Sequence, residues 1–376
     1  YETRRNLDYS IRKRPMKIIF LLPGTEGRPL PLNGESIRYG AAASSGTDQS
    51  VILVGEYLAK QGHNVTIVLD KTDFKTINLV NYTDFTYKGI DKEVDILNVN
   101  LWFEKYNEIP FKVTKAVQYW HHMAWQYGIG ELSDFCLENK VDLQLVFPSA
   151  FAQSHNIHNY FRFKDVGINT SRVIIPNPIE DQLAEKILSE NIQKDPNKVI
   201  FPAQYGRGGD IAKKVIDEVG GDFHLYTFDY TDHGKGVDKQ TLFRELASSE
   251  YFIFPLYHPN ACVYKDTFSC AVAEAIAMGV KVITYPLGAF TEYFNEGCYY
   301  ADFPPHTNIN KMYSEKVSCE VPYMGDTRTL VDAFKKVTDP DSGEFPHLAS
   351  TSNLIRKQFS IDEVGSQWSD LINKYI

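Results

Sequence analysis

An alternation of apolar strands and amphipathic helices, repeated along the chain, most constrains how this sequence can fold. The runs MKIIFLLP (16–23) and GHNVTIVLD (62–70) are predicted strands, and the segment between them carries Val51, Val54 and Leu58 at helical spacing. A strand, a helix and a strand in that order predict a parallel unit. Further buried strands are predicted at 94–100, 115–120, 142–149 and 172–176. The first half of the chain is therefore predicted to be a doubly wound α/β sheet.

The same alternation starts again after Pro176, Asn177 and Pro178. A second series of strands and helices implies a second parallel sheet. Because the two prolines cannot continue a helix or a central strand, this stretch predicts a hinge between domains. The strands of the second series are predicted at 199–203, 224–229, 251–256 and 280–285. The predicted organisation is a basic tail at 1–15, a first domain at 16–178, a second domain at 179–358 with a long loop at 301–327, and a C-terminal helix at 359–376 that joins the first domain.

The two ends of the chain differ in character. The basic residues of the 1–15 tail are not followed by a hydrophobic signal core. Such a tail is either a solvated extension or a contact for a membrane surface or an acidic partner. No apolar window reaches the roughly 18 residues that span a bilayer, so no transmembrane segment is expected. At the other end, Val364, Trp368 and Leu371 share one helical face, which predicts packing against the body.

Charge and cysteine usage limit the partners that this chain can have. The formal net charge of -9 argues against nucleic acid, because duplex binding needs a broad basic surface. The five cysteines are widely spread and lack metal-binding spacing. We therefore expect neither disulfides nor structural zinc, and a reducing, cytoplasmic location.

The segment YKDTFSCAVAEAIAMG (264–279) follows a predicted strand and holds two acids, Asp266 and Glu274. The pattern places Asp266 before a helix and Glu274 about two turns into it. Free N–H groups and the positive dipole at such a helix start attract phosphate, and a carboxylate farther along can accept hydrogen bonds from two ribose hydroxyls. Backbone donors to phosphate are predicted at Thr267, Phe268 and Ser269. This arrangement suits a nucleotide sugar, and a capped helix entry with a solvated Glu274 is the alternative.

A glycine-rich turn follows the predicted strand at 199–203. Gly206, Arg207 and Gly208 precede a helix that holds Lys213. Glycines let the backbone approach a ligand closely, and the forked guanidinium of Arg207 suits a diphosphate. An ordinary turn is the alternative interpretation.

Two segments of the first half are also predicted to face the crevice between the sheets. Ser45, Gly46 and Thr47 lie at the start of the first helix, where they form either a ligand-facing loop or a helix cap. His121 follows the strand 115–120, and a histidine there can bond a sugar hydroxyl or stabilise charge near a phosphate. A paired core or surface histidine is the alternative, and no third ligand is evident for a zinc site.

Together these motifs resemble those of the retaining glycosyltransferases of family 4, which have the two-domain GT-B fold. The two acids and the following EAIAMGVKVIT resemble the family's EAMAxGxPVI signature. In the first half, SSGTDQ resembles the acceptor-side loop, EYLAKQGHNVTIV resembles LAxxGHxVxV, and WHHM resembles the HD-type motif. IIPNPIE resembles the VIPNGVD hinge. The likeness covers residues 16–376.

The resemblance implies two Rossmann-like domains that face a central cleft. It also implies transfer of a hexose-type sugar from a nucleoside diphosphate, such as a UDP- or GDP-sugar, to a glycan or other hydroxyl acceptor. Glu274 would bind the ribose, and Asp266 and His121 would hold the sugar. Arg207, with Lys213 as the nearby lysine, would neutralise the diphosphate. Phe268 and Ser269 would donate backbone N–H groups to phosphate.

In the mechanism that the resemblance implies, the leaving diphosphate oxygen takes the acceptor proton, and neither a metal nor another cofactor is required. Two positions depart from the family pattern: Asp266 stands where Glu is usual, and Arg207-Gly208 replaces the usual Arg and Lys pair. A nucleotide-sugar epimerase of the same fold and a noncatalytic nucleotide-sugar binder are the alternatives. Replacement of Glu274 by Gln is expected to weaken nucleotide binding and to leave thermal stability nearly intact.

Overall fold

Three sheets organise the residues that the structure describes. The computed structural model describes residues 14–22, 32–40, 45–70, 72–84, 86, 89–100, 106–120, 129–155, 161, 163–203, 205–228, 237–258, 262–264, 266–305, 318–320, 326–345 and 347–375. Labels below number the helices and strands of these residues in chain order.

The first sheet has the order β3-β4-β2-β1-β5-β6-β7-β8. Its strands are β1 Lys17–Leu22, β2 Asn64–Leu69, β3 Lys75–Ile77, β4 Val80–Thr83, β5 Glu93–Asn100, β6 Lys112–Trp120, β7 Asp142–Phe147 and β8 Thr170–Ile174. The pairings are parallel, apart from the antiparallel pair of β3 and β4. Its helices are α1 Gly34–Tyr39, α2 Gly46–Lys60, α3 Ile129–Asn139 and α4 Ala150–His155.

The second sheet has the order β10-β9-β11-β14-β15, and its pairings are all parallel. Its strands are β9 Asp195–Phe201, β10 His224–Thr227, β11 Ser249–Phe254, β14 Lys281–Thr284 and β15 Cys298–Tyr300. The helices of this half are α5 Asp181–Leu188, α6 Gly209–Val219, α7 Lys239–Ala247, α8 Cys270–Ala277, α9 Phe290–Tyr293, α10 Arg328–Thr338 and α11 Leu348–Gln358. The prediction of two parallel sheets is confirmed.

Burial on both faces explains why the strands read as continuous apolar runs. In β1, Ile18 and Phe20 enter one apolar cluster, whereas Ile19 and Leu21 enter another on the opposite face. Side chains alternate between the faces of a strand, so a sheet with helices on both sides buries every position. The strand KIIFLL is therefore apolar throughout rather than alternating.

Two parts of the fold differ from the sequence prediction. The hairpin β3–β4 was not expected. It turns at Asn78 and Leu79, whose φ angles are 49° and 69°. The segment 301–327 was expected to be a loop, but it contains the strand β16 Ser318–Glu320. This strand pairs with β13 Cys262–Tyr264, which also pairs with β12 Tyr257–His258 in a small antiparallel sheet.

The C-terminal helix α12, Ile361–Asn373, returns to the first half of the chain. The rings of Trp368 and Trp120 lie 4.5 Å apart, centroid to centroid. Gly365 lies against the ring of Tyr57 so closely that a Cβ atom there would come within 2.4 Å of it. The prediction that this helix packs back on the body is confirmed. The proposed boundary near residue 178 stays a prediction.

Candidate functional site

Helix α8 begins at the segment that the sequence singled out. The hydroxyl of Ser269, the N-cap residue, accepts a hydrogen bond from the backbone N–H of Val272 at 3.4 Å. The cap satisfies only one of the free N–H groups of the first turn. Glu274 lies in the second turn and is buried. The predicted order of a first acid, a capped helix start and a second acid is present in the structure.

The first acid, Asp266, contacts the glycine-rich turn. Its Oδ2 atom lies 3.4 Å from Nη1 of Arg207, whose side chain is 40% exposed. The backbone carbonyl of Asp266 accepts a hydrogen bond from the N–H of Ala289 at 2.9 Å. A Cβ atom at Gly288 would come within 2.2 Å of that carbonyl oxygen. The loop after β14 therefore supports the acid through the backbone.

The glycine-rich turn holds Arg207 at the start of α6. Gly206 and Arg207 belong to a 3-10 helix, Tyr205–Arg207, and Gly208 follows as the N-cap of α6 with φ 116°. By contrast, Lys213 points along the exposed face of α6, where Nζ lies 3.0 Å from Asp217. No contact in the described ranges brings Lys213 to Arg207. Its role beside a diphosphate stays a prediction that this geometry does not support.

The second acid has a lysine partner that the sequence analysis did not identify. Nζ of Lys239 lies 2.5 and 2.6 Å from the two carboxylate oxygens of Glu274. The side chains of Lys239 and Glu274 are only 6% and 4% exposed. One signal was available, because Lys239 lies on the same helical stripe as Leu242, Phe243 and Leu246. The alternative of a solvated Glu274 is therefore wrong.

The loop of the first half meets the start of α8. Ser45 caps α2, and its hydroxyl and backbone exchange hydrogen bonds with Asp48. The carbonyl of Gly46 accepts from the Sγ–H of Cys270 at 3.8 Å. A Cβ atom at Gly46 would lie 2.9 Å from that sulfur. The segment 45–47 is thus both a helix cap and a direct neighbour of α8, and its predicted ligand role stays a prediction.

A buried group of charges joins α1, α2 and the start of α5. Arg38 contacts both carboxylate oxygens of Glu56, at 3.1 and 2.8 Å, and its Nε donates to Glu180 at 2.6 Å. Burial raises the pKa of Glu180, although the charge of Arg38 opposes this shift. The charge of Lys239 also opposes this rise in the pKa of Glu180. The charges of Arg38 and Glu56 in the first half and of Lys239 in the second half therefore all act on Glu180.

A second contact between the halves starts from the loop after β14. The carboxylate of Glu292 accepts hydrogen bonds from the backbone N–H groups of Ala150 and Phe151, at 2.8 and 3.2 Å. The hydroxyl of Tyr293 donates to the carbonyl of Pro148 at 3.0 Å. A carboxylate at a helix start is favourable because it satisfies free N–H groups and meets the positive dipole. Glu292 therefore caps α4 from the other half.

The other predicted site residues have less definite places. Thr267 is partly buried. Phe268 is buried, and its ring packs on Tyr293 and Phe359 at centroid distances of 5.5 and 4.9 Å. His121 lies outside the described residues, so its role stays a prediction. In the part of the chain that the structure describes, no group of three or more His, Cys, Asp or Glu side chains is placed to hold a metal ion.

Comparison with known proteins bears on the fold. No protein-family model and no curated protein sequence matches the chain. Sucrose-phosphate synthase from Thermosynechococcus elongatus superposes with a TM-score of 0.61 at 12% identity, over 95% of this chain and 98% of that chain. The chain has the GT-B fold. The trehalose 6-phosphate synthase from Burkholderia multivorans gives a TM-score of 0.59 at 10% identity, over 95% and 98% of the two chains. The catalytic domain of starch synthase IV from Arabidopsis thaliana, bound to ADP and acarbose, gives a TM-score of 0.54 at 11% identity, over 96% of this chain and 99% of that chain.

The GT-B fold explains why these residues meet. In a parallel sheet the carboxyl ends of the strands lie at one edge, where ligands bind in open α/β folds. Arg207 follows the end of β9, Gly288 follows the end of β14, and Glu292 continues from that loop to the helix after β7. Residues that are far apart in the chain are thereby brought into contact, as Arg207 with Asp266 and Glu292 with Ala150 show. In the described residues, no helix is both long and apolar enough to cross a bilayer.

Proposed function

We propose that this GT-B protein is a retaining glycosyltransferase that moves a sugar from a nucleoside diphosphate to a glycan or other hydroxyl acceptor. One observation carries the proposal. The capped start of α8, the Arg207–Asp266 pair and the loop at Gly46 lie together where the two halves meet. A helix start with a neighbouring guanidinium is suited to a diphosphate. The names of the GT-B proteins of similar fold, which include two sugar-phosphate synthases and a starch synthase bound to ADP, support the same reaction class.

Each group has a role that follows from its chemistry. The N–H groups of Phe268, Ser269 and the first turn of α8 would bind the diphosphate, and Arg207 would balance its charge. Glu274 would accept hydrogen bonds from the ribose hydroxyls. Asp266 would accept hydrogen bonds from hydroxyls of the sugar. Nη1 of Arg207 lies 3.4 Å from Oδ2 of this carboxylate. Thr267, His121 and the segment 45–47 would complete the sugar and acceptor sides.

The proposed reaction is a substitution on one face of the sugar. The bond from the anomeric carbon to the diphosphate oxygen breaks, and the acceptor oxygen bonds to that carbon on the same face. The acceptor proton passes to the departing diphosphate oxygen, so no protein base is needed. The protein stabilises the charge that grows on the diphosphate with Arg207 and the start of α8. The proposed donor is a UDP- or GDP-sugar. The proposed reaction requires neither a metal nor another cofactor.

The compartment belongs to the same proposal. Cys136, Cys270 and Cys298 are buried free thiols. Unpaired buried cysteines are usual in a reducing compartment, which supports a cytoplasmic location.

A calorimetric titration with UDP, GDP, ADP, CMP and NAD tests the proposal. We expect one nucleoside diphosphate to bind clearly and CMP and NAD to bind weakly or not at all. The matching nucleotide sugar is then incubated with hydroxyl acceptors, and the anomeric configuration of the product is read by NMR. Retention of configuration supports the mechanism. Absence of binding by every diphosphate, or binding of NAD alone, overturns the proposed function.

A noncatalytic nucleotide-sugar binder is the second candidate. The observation in its favour is that both acids already have internal cations, Arg207 for Asp266 and Lys239 for Glu274. Such a protein would bind the diphosphate and the sugar with no turnover. Product formation with the bound nucleotide sugar decides between the two functions.

A further inference from the structure

Lys239 contacts Glu274 directly, and the proposed reaction does not use it. It lies at the first position of α7, 35 residues before Glu274 in the chain, and the two side chains form a bidentate ion pair. Lysine and glutamate are rarely buried this deeply, so such a pair needs a reason. A pair that only stabilised the fold could be replaced by apolar side chains at little cost.

The carboxylate of Glu274 has acceptor sites left for the hydrogen bonds of a ligand. Each carboxylate oxygen has two lone pairs, and Lys239 takes one on each oxygen of Glu274. One acceptor site therefore remains on each oxygen, which suits two adjacent hydroxyls such as those of a ribose. Because the Glu274 side chain is 4% exposed, a nucleoside reaches it only when the packing around the carboxylate opens.

The surrounding charges make the lysine necessary for an ionised Glu274. The charged group contains the acids Glu56, Glu180 and Glu274 and the cations Arg38 and Lys239, and the Arg207–Asp266 pair lies just before α8. Three acids already face two cations, and without Lys239 they would face one. Cys270, on the same helix, stays an uncharged thiol from pH 6 to 9, because burial raises its pKa to about 12. A buried carboxylate without a cation takes up a proton instead.

We infer that Lys239 is a positioning residue, which keeps Glu274 ionised and oriented so that both of its oxygens accept ribose hydroxyls. The inference rests on the proposed function, since it concerns the nucleotide site. A protonated carboxyl has lost part of its capacity to accept hydrogen bonds and presents a donor instead. Loss of the lysine charge should therefore weaken nucleotide binding most at low pH.

Calorimetric titration of UDP and GDP at pH 6, 7.5 and 9 tests this role in Lys239→Met. We expect the affinity for the diphosphate that binds to fall by about tenfold at pH 6, the size of a lost charge-assisted hydrogen bond, and by less than about threefold at pH 9. Lys194→Met is the matched control. Lys194 is a partly buried lysine of the same half whose Nζ donates to the backbone carbonyls of Ser249 and Gly279. Its removal should leave the affinity unchanged at each pH.

A second variant covers the case in which Lys239→Met does not fold. Lys239→Gln keeps a hydrogen-bond donor without the charge, and it should show the same dependence on pH. Affinities equal to those of the unaltered chain at all three pH values overturn the inference while leaving the proposed function standing. An equal loss at every pH, shared by Lys194→Met, shows a merely structural role and also overturns it. If the unaltered chain binds neither nucleotide while another diphosphate binds, the same titrations are made with that one. If no diphosphate binds, the proposed function fails, and the role of Lys239 fails with it.

Discussion

At the scale of single residues, the buried pair of Lys239 and Glu274 changes the expected effect of a mutation. From the sequence alone, Glu274→Gln should leave stability nearly intact. In the structure the same substitution leaves a buried ammonium without its carboxylate. We expect the free energy of unfolding to fall by about 3 kcal/mol, the usual cost of removing one partner of a buried pair. Urea denaturation at pH 7 measures this loss.

The double variant Glu274→Gln with Lys239→Met is the control for this prediction. Replacing both partners of a buried pair is often nearly neutral, because no uncompensated charge remains. The double variant should therefore be more stable than Glu274→Gln alone. A Glu274→Gln protein as stable as the unaltered chain would contradict the buried pair.

The buried cysteines give a second prediction at this scale. Burial raises the pKa of Cys136 and Cys270 to about 12 and raises that of Cys298 as well. The thiolate is the reactive form, and at pH 8 a thiol of pKa 12 is ionised in only about one molecule in ten thousand. Iodoacetamide at pH 8 should leave all three unlabelled in the folded protein and label them in guanidinium, as read by mass spectrometry. Rapid labelling of Cys270 alone would show that its contact with Gly46 does not persist in solution.

At the scale of elements, Gly208 fixes how α6 begins and where Arg207 lies. Its φ of 116° is unfavourable for other residues, and a Cβ atom would lie 3.0 Å from the ring of Pro255. We expect Gly208→Ala to lower the free energy of unfolding by about 3 kcal/mol, because backbone strain and the contact with Pro255 add together. Gly343→Ala is the matched control, since Gly343 also has a positive φ but no neighbour within 4 Å. It should cost only about 1 kcal/mol in the same urea titration. Equal losses in the two variants would show that Pro255 does not limit this position.

The elements that could be predicted from sequence are those whose burial is continuous. Strands such as β1 and β11 are apolar on both faces, so their composition alone marks them. The hairpin β3–β4 has the short, polar sequences KTI and VNYT, which carry no such mark. The strand β16 depends on its antiparallel partner β13. Pairing with another strand, rather than an apolar sequence pattern, defines these elements.

The same distinction applies to the site. Asp266, Glu274 and the helix start between them could be predicted because one short segment carries all three. The partners of these groups could not, because they come from elsewhere: Arg207 is 59 residues from Asp266, and Lys239 is 35 residues from Glu274. Arg207 was found through its glycine-rich turn. Lys213 was predicted because its helix follows that turn, but its side chain lies on the exposed face of α6 beside Asp217.

At the scale of the whole molecule, polar contacts join the halves at three places in the described structure. Arg38 bonds Glu180, Glu292 caps α4, and Gly46 meets Cys270. The contacts differ in strength, because the first two involve charge and the third is a close approach of backbone to sulfur. They nevertheless lie on one boundary between the halves, so a displacement at one contact should weaken the others.

Gly46→Ala tests whether the three contacts act together. The added Cβ would lie 2.9 Å from the sulfur of Cys270, so one of the two residues must shift, and we expect the halves to separate slightly. We expect the amide hydrogens of Ala150 and Phe151, which donate to Glu292 across the boundary, to exchange about tenfold faster, corresponding to about 1.4 kcal/mol. Hydrogen exchange measured by NMR reports these two amides directly.

Gly130→Ala is the control for this last prediction, because Gly130 lies in α3 of the same half with no atom within 4 Å of an added Cβ. It should leave the exchange at Ala150 unchanged, and the better helix propensity of alanine should stabilise α3 slightly. Combining Gly46→Ala with Cys270→Ala removes the sulfur and should restore part of the protection. If exchange at Ala150 is unchanged in Gly46→Ala, the halves yield locally at Gly46, and each contact across the boundary acts on its own. If exchange is faster and the second substitution slows it again, the boundary between the halves opens as one unit.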